Sequence, residues 1–285
     1  MDLIIKSGIM KQLKLVLVLV VILSTAAVRA SGQADETMPR DLFYDKIAPT
    51  EKEVIPYDNV READVLWQKR IWRIIDSREK MNLPFKYEGI DWKDLKPLIF
   101  VLRDAAVSGE ITVYQEDNFK VVKLPADVAK IGAGNDTIPL TDLDGNYIKD
   151  TVLVREFDPT RVSKYRIKED WFFDEETSTM QVRIIAIAPL YYDDQIQLDL
   201  PMFWAHYPTA RNVLVKQEVF NPRNDAVRLT WDDLFEMRLF SSYIYKESNV
   251  FDRRIQDYLT GTDALRESDR IKQDIFEYEH DVWSY

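Results

Sequence analysis

Two histidines, no cysteine and 49 acidic residues bound the chemistry open to this 285-residue chain. Without cysteine there is no thiolate nucleophile, no Cys-zinc or iron–sulfur site and no disulfide framework. A Ser-His-Asp triad would have to use His206 or His280. His206 stands in "WAHYP", between aromatics and ahead of Pro208, the setting of a packed loop histidine. His280 stands between Glu279 and Asp281, and adjacent residues on a helix cannot face one ion. "DLDGN" at 142–146 places its glycine at the fourth position of a would-be calcium loop, not the sixth, so a hairpin turn accounts for it better. Gly132 and Gly134 lack the third glycine and the following helix of a phosphate cradle. The sequence thus calls for no metal and no cofactor. Paired carboxylates leave one enzymatic option. Asp170, Asp174 and Glu175 beside Trp171 could serve a glycosidase, which needs two acids about 5–10 Å apart. In a chain so rich in acids, such neighbours also arise by coincidence.

The same carboxylates lie in "IKEDWFFDEETSTMQVRIIAIAP" at 167–189, which reads as a β-hairpin. Ile167 to Phe173 is one strand, "DEET" the turn, and Met180 to Ala188 a return strand that stops at Pro189. Val182, Ile184, Ala186 and Ala188 would share one face, with Arg183, Ile185 and Ile187 on the other. Being apolar on both faces suggests a central strand. The acids 174–176 would then sit solvated at the tip. Successive strand residues alternate faces, so Trp171, Phe172 and Phe173 cannot all point into one core. One of them should be covered by a second helix layer or by a partner.

Around this hairpin, "TIPLTDLDGNYIKDTVLV" gives a second one about Asp144-Gly145, and "EITVYQ" alternates as a strand. Trp67, Ile71, Ile74 and Ile75 recur at i, i+4, i+7 and i+8, which predicts a helix over about 62–81. That helix is locally basic, with Lys69, Arg70, Arg73, Arg78 and Lys80 against Asp76 and Glu79. Its polar face is either solvated or, through Arg70 and Arg73, meets an acidic face of the next copy. A second helix should run from Trp92 to about Val107, ending at Gly109. Thr230 and Asp233 make an N-cap pair opening a helix over "WDDLFEMRLFSSYIYKE". A last helix, about 263–281, carries Ser268, Ile271, Ile275, Tyr278 and Val282 as one stripe. The expected class is α+β, a mixed or antiparallel central sheet with hairpins in the middle of the chain and helices from both end thirds packed on it.

At the N-terminus, Lys11 and Lys14 precede an uncharged run from Leu15 to Leu23, then "STAAVRA" with Val28 and Ala30 at signal-peptidase spacing. This predicts an exported chain cut after Ala30, since the run is too short to span a bilayer. Removing residues 1–30, with four basic groups and one acid, takes the net charge from −11 to −14. So acidic a body disfavours nucleic acid and anionic lipid. Residues 31–60 read as an extended arm broken by Pro39, Pro49 and Pro56, and 61–285 as a single globular domain. Leu42, Phe43, Tyr44, Ile55 and Tyr57 make the arm too apolar for a solvated tail. It packs either on its own body or on another subunit.

Several blocks resemble a known family. "VLWQKRIWRIIDSREKMNLPF" at 65–85 is similar to the signature helix of the gliding motility protein GldN, called PorN in non-gliding relatives. The 167–189 block, "PMFWAHYPTARNVLV", "EVFNPRNDAVRLTWDDLFEMRLFSSYIYKESNVFDRRIQDY" and "GTDALRESDRIKQDIFEYEHDVWSY" follow in family order, covering about 60–285. The resemblance implies a non-enzymatic periplasmic subunit of the Bacteroidetes type IX secretion system, coupled in some species to gliding. It implies an outer-membrane lipoprotein partner (GldK or PorK), self-association into rings beneath the outer membrane, and contact with the motor proteins GldM and GldL or PorM and PorL. The membrane would be reached only through a partner, and no catalytic residues carry over. A carboxylate-dependent glycosidase and a monomeric binding protein are the alternatives.

Overall fold

The computed structural model describes residues 52–89, 95–141, 147–155, 157–194, 196–224 and 226–283, and of 134–155 the backbone alone. All of them belong to the compact unit Ala48–Tyr285. The expected signal peptide and Leu42, Phe43 and Tyr44 lie outside the described residues. In chain order the strands are β1 (Val65–Asp76), β2 (Val113–Tyr114), β3 (Val122–Lys123), β4 (Gly134–Thr141), β5 (Tyr147–Arg155) and β6 (Val162–Asp174). Then come β7 (Thr179–Asp193), β8 (Leu198–Pro201), β9 (Trp204–His206), β10 (Glu218–Val219), β11 (Leu229–Thr230) and β12 (Tyr243–Glu247). The α-helices are α1 (Leu98–Ser108), α2 (Pro125–Lys130), α3 (Tyr207–Leu214), α4 (Trp231–Glu236) and α5 (Thr262–Trp283). The main sheet runs β12-β1-β6-β7-β9-β2-β3, with β8 on the far end of β7, and every pairing in it is antiparallel. The class is α+β, as the patterning predicts.

The segment expected as the first helix is instead β1. Ile71 and Ile75 point to one side, Trp72 and Ile74 to the other, and all four are buried. A strand covered on both faces carries apolar residues at both parities, and such a run can imitate helical spacing. Its tryptophans and β-branched isoleucines favour the pleated surface. Helical structure in 62–86 is confined to two short 3-10 turns, Glu62–Asp64 and Lys80–Lys86, the second seating Phe85 in the core.

The β6–β7 hairpin forms, but longer than expected. β7 passes through Pro189 to Asp193. The proline is tolerated because β9 ends its pairing at Ile187 and β8 begins at Leu190, so Pro189 sits where no ladder donor is required. The register shifts between Lys168 and Glu169, leaving Ile185 as a bulge residue. One face therefore carries Ile184 with Ile187, while Ala186 and Ala188 point to the opposite side. The uninterrupted alternation expected from sequence fails at that residue. Asp174 is not solvated. It is buried and accepts from Glu176 N at 3.1 Å, Thr177 Oγ1 at 2.9 Å and Gln181 Nε2 at 3.1 Å, while Glu175 and Glu176 stay exposed.

Helices cover one face in two groups. Ile75, Ile167 and Ile187 share a core with Phe85, Tyr207, Trp231 and Phe235 from α3, α4 and the turn before α1. Toward β12, Ile71 and Ile244 pack on Ile271 and Ile275 of α5, and Ser268 Oγ accepts from Ile244 N at 2.8 Å. The last helix is thus where its stripe predicts. α1 starts at Leu98, after Pro97, and ends at Gly109 with φ 78°, a left-handed cap suited to glycine. "EITVYQ" contributes only the two residues of β2, whereas β4 and β5 form the second hairpin around residues 142–146, which lie outside the description. The helix expected over 231–247 stops at Glu236 and gives way to β12. Its N-terminus is right, since Thr230 and Asp233 form the capping box. Its end is set locally, by left-handed Arg238 (φ 52°) with Leu239 N donating to Leu234 O at 2.9 Å, and Asn82 then bonds both Ser241 N (2.8 Å) and Ser241 O (2.9 Å) ahead of β12.

Candidate functional site

Arg73 on β1 and Glu169 on β6 both point to the helix-covered face, within salt-bridge reach across the strand pair, and both are buried. Arg73 Nε donates to Glu169 Oε1. Trp171 Nε1 donates to the same oxygen at 2.8 Å, and Arg238 Nη1 donates to Oε2 at 2.9 Å. Arg238 reaches this spot from the turn after α4 with φ 52°, a left-handed conformation that costs a non-glycine residue energy. The two guanidiniums lie 5.7 Å and 5.3 Å from the centre of the Trp171 ring. Burial alone would push the Glu169 carboxyl up, but the two arginines and its hydrogen bonds hold it below the usual glutamate range. Burial pulls the Arg73 guanidinium down against the pull of Glu169.

This cluster floors a cleft of about 410 Å³ between the sheet, α5 and the α4–β12 turn, lined by Trp171, Met180, Arg238, Phe240, Lys272 and Phe276, with Glu279 at its side. A second cleft, about 390 Å³ and largely apolar, lies beyond Met81 and is lined by Pro84, Phe220, Leu234 and Leu239 with Lys80 and Arg223. Met81 belongs to both, so they adjoin. Met81 is 43% and Phe276 71% exposed, large apolar side chains left on the rims.

The residues singled out from sequence are only partly brought together here. Arg73 and Trp171 belong to the cluster, Trp171 half-buried on the helix-covered face beside α5. Phe173 is buried, and Phe172, on the opposite face, lies under the Arg183 guanidinium at 5.4 Å. Arg70 points away from Arg73 and makes a two-pronged bond to Asp170, both contacts 2.7 Å. Arg70 and Arg73 therefore form no common basic face, because strand geometry sends them to opposite sides. Ile55 is 75% exposed. Tyr57 is held on its own subunit, donating to Glu236 with Arg211 4.4 Å from its ring centre, while Lys52 pairs with Asp233 at 2.6 Å. The described end of the arm thus packs on α3 and α4.

The acids considered for hydrolysis have other employment. Asp170 is tied to Arg70 and Gln68, and Asp174 caps the hairpin turn. Among the described residues no group of three His, Asp or Glu side chains converges as a metal site. His206 packs edge-on to Phe119 at 5.3 Å, and burial pulls its pKa down. Glu169, Arg238, Lys272 and Phe276 escape the sequence reading. Apolar Ile167 and Trp171 two residues to either side, on the same strand face, were the signal for Glu169, but nothing local marks Arg238, whose role depends on its backbone turn.

Residues 60–284 match the family model described as "Gliding motility associated protein GldN". The chain belongs to the GldN family. The match takes in the whole main sheet, the charged cluster and α5, so the clefts are features of the GldN region and not of an added segment. Membership makes the chain a component of gliding motility or type IX secretion machinery. No curated protein matches it. Among the described residues of this GldN chain, no helix is long and apolar enough to cross a membrane.

Proposed function

We propose that this GldN-family chain is a non-enzymatic structural subunit of a periplasmic ring in the type IX secretion system, also serving gliding where that occurs. The observation that carries the reading is the GldN match over 60–284. In this reading the chain is exported, cut after Ala30, and sits at the inner face of the outer membrane bound to a lipoprotein of the GldK or PorK type. It associates with further copies of itself and touches GldM- or PorM-type and GldL- or PorL-type motor proteins. Exposed Ile55, with Leu42, Phe43 and Tyr44 upstream, is the arm's share of partner contact. Buried Arg73, Phe172 and Phe173 act within the subunit.

Co-expression with the lipoprotein, affinity capture and electron microscopy test this. Co-purification in ring-sized particles is the expected result. A chain that stays monomeric in the partner's presence overturns the reading. Repeating the capture without residues 31–51, while keeping the Lys52 and Tyr57 contacts to α4, isolates the arm. Weaker capture assigns residues 31–51 to the partner, and undiminished capture removes Leu42, Phe43 and Tyr44 from that role.

A further inference from the structure

The adjoining clefts on either side of Met81 differ in charge from the rest of the molecule. Their lining includes Arg73, Arg238, Lys272, Lys80 and Arg223 against the single acid Glu279, in a chain of net charge −11. No described carboxylate forms a salt bridge with Lys80, Arg223 or Lys272, although most other arginines and lysines around the sheet are paired. Arg238 has its outer side toward the cleft while Glu169 fixes its inner side, so its charge is held in place without being cancelled by a surface acid. Between these cations lie Trp171, Met180 and Phe240 with the hydroxyls of Ser241 and Ser242 on one side of Met81, and the largely apolar Pro84, Phe220 and Leu239 on the other.

We infer that this double cleft docks a segment of a partner chain in which acidic residues alternate with bulky apolar ones. The apolar side chains enter the two cavities, about 410 and 390 Å³, and the carboxylates meet Lys272 and Arg238 on one side and Lys80 and Arg223 on the other. Three features favour an acidic partner. Lys80, Arg223 and Lys272, with no salt bridge to a described carboxylate, repel a basic segment. A small inorganic anion has no apolar part to bury against Trp171, Phe240 and the exposed Phe276 and Met81. The Glu169-anchored arginines need no ordering on binding, which removes part of the entropic cost. The assembly proposed above supplies the setting for such a partner, but binding in solution does not require the assembly, so the two can fail separately.

The test is fluorescence anisotropy of a fluorescein-labelled hexapeptide, Asp-Phe-Asp-Leu-Asp-Phe, titrated with the full chain, beside a control with lysine at every aspartate. Binding of the acidic peptide alone, weakening as salt rises, is expected. Lys272→Glu and Phe276→Ala change exposed side chains and spare the core, and each should weaken binding about tenfold. Arg223→Glu, across Met81, reports on the second cavity and should weaken it comparably. Equal binding of the lysine peptide, or unchanged affinity in all three variants, overturns the proposal. So does a Lys272→Glu/Phe276→Ala variant whose own oligomer dissociates by light scattering while peptide affinity holds. That outcome makes the cleft a contact between copies.

Discussion

Glu169 is the residue on which the interior charge depends. It accepts from Arg73, Trp171 and Arg238, and no water-exposed surface remains to it. Replacing Glu169 by glutamine leaves two guanidiniums facing each other over Trp171 with no anion between them. Removing one partner of a buried charge set costs about 3–5 kcal/mol. Urea unfolding of E169Q should show a loss of that size, and a loss below about 1 kcal/mol would mean that water or relaxation already shields the arginines. Arg70→Ala is the internal comparison and should cost less, because the Arg70 side chain is 41% exposed and the buried Asp170 keeps its bond from Gln68. The sequence shows an arginine between Trp72 and Ile74 and a glutamate in the charged run Lys168 to Asp170. It does not show that Arg238, in a turn far along the chain, completes their set.

At the scale of elements, local signals were legible where the chain decides its own geometry. The β6–β7 hairpin, the Thr230–Asp233 cap and the Ser268–Ile271–Ile275 stripe depend on neighbours in sequence, and all three form. β1 and β12 depend on partners far away. The spacing of Trp67, Ile71, Ile74 and Ile75 suits a helix until β6 and β12 supply two flanking edges. "SSYIYKE" follows a helix closed at left-handed Arg238 and becomes a strand by pairing with β1, while Asn82 fixes Ser241 at its start. The exchange of faces at Ile185 is likewise set by the β6 register. α5 rests on the sheet largely through Ile271 and Ile275, so each truncation to alanine should cost about 2–5 kcal/mol. Hydrogen exchange should locate the loss, with α5 and β12 amides exchanging faster and α1 amides unchanged. Uniform acceleration would show that α5 is not a separable unit.

The whole molecule has a stability that should depend on pH in a set direction. In Glu169 the arginines outweigh burial, in Asp76 the Arg78 bond dominates, and in Asp233 bonds from Lys52 and Thr230 outweigh burial; each carboxyl lies below its ordinary range. A folded value below the unfolded one means a contribution complete above about pH 4 and lost as the pH falls through the folded values. His206, lowered by burial, adds a smaller decline beginning below about pH 6.5. Thermal unfolding at pH 8, 5.5 and 3 should therefore show a slight fall and then a steep one; equal midpoints at 5.5 and 3 would contradict it. The pairing of Ile71 with Glu247 also has a consequence in time. A chain delivered N-terminus first presents β1 long before β12 exists, and contacts of such sequence separation form slowly. Until then one edge of β1 is open to any other strand, its own kind included. Chaperone attention during biosynthesis should fall on that interval, and a truncation ending before Tyr243 should aggregate rather than accumulate as a shorter folded form.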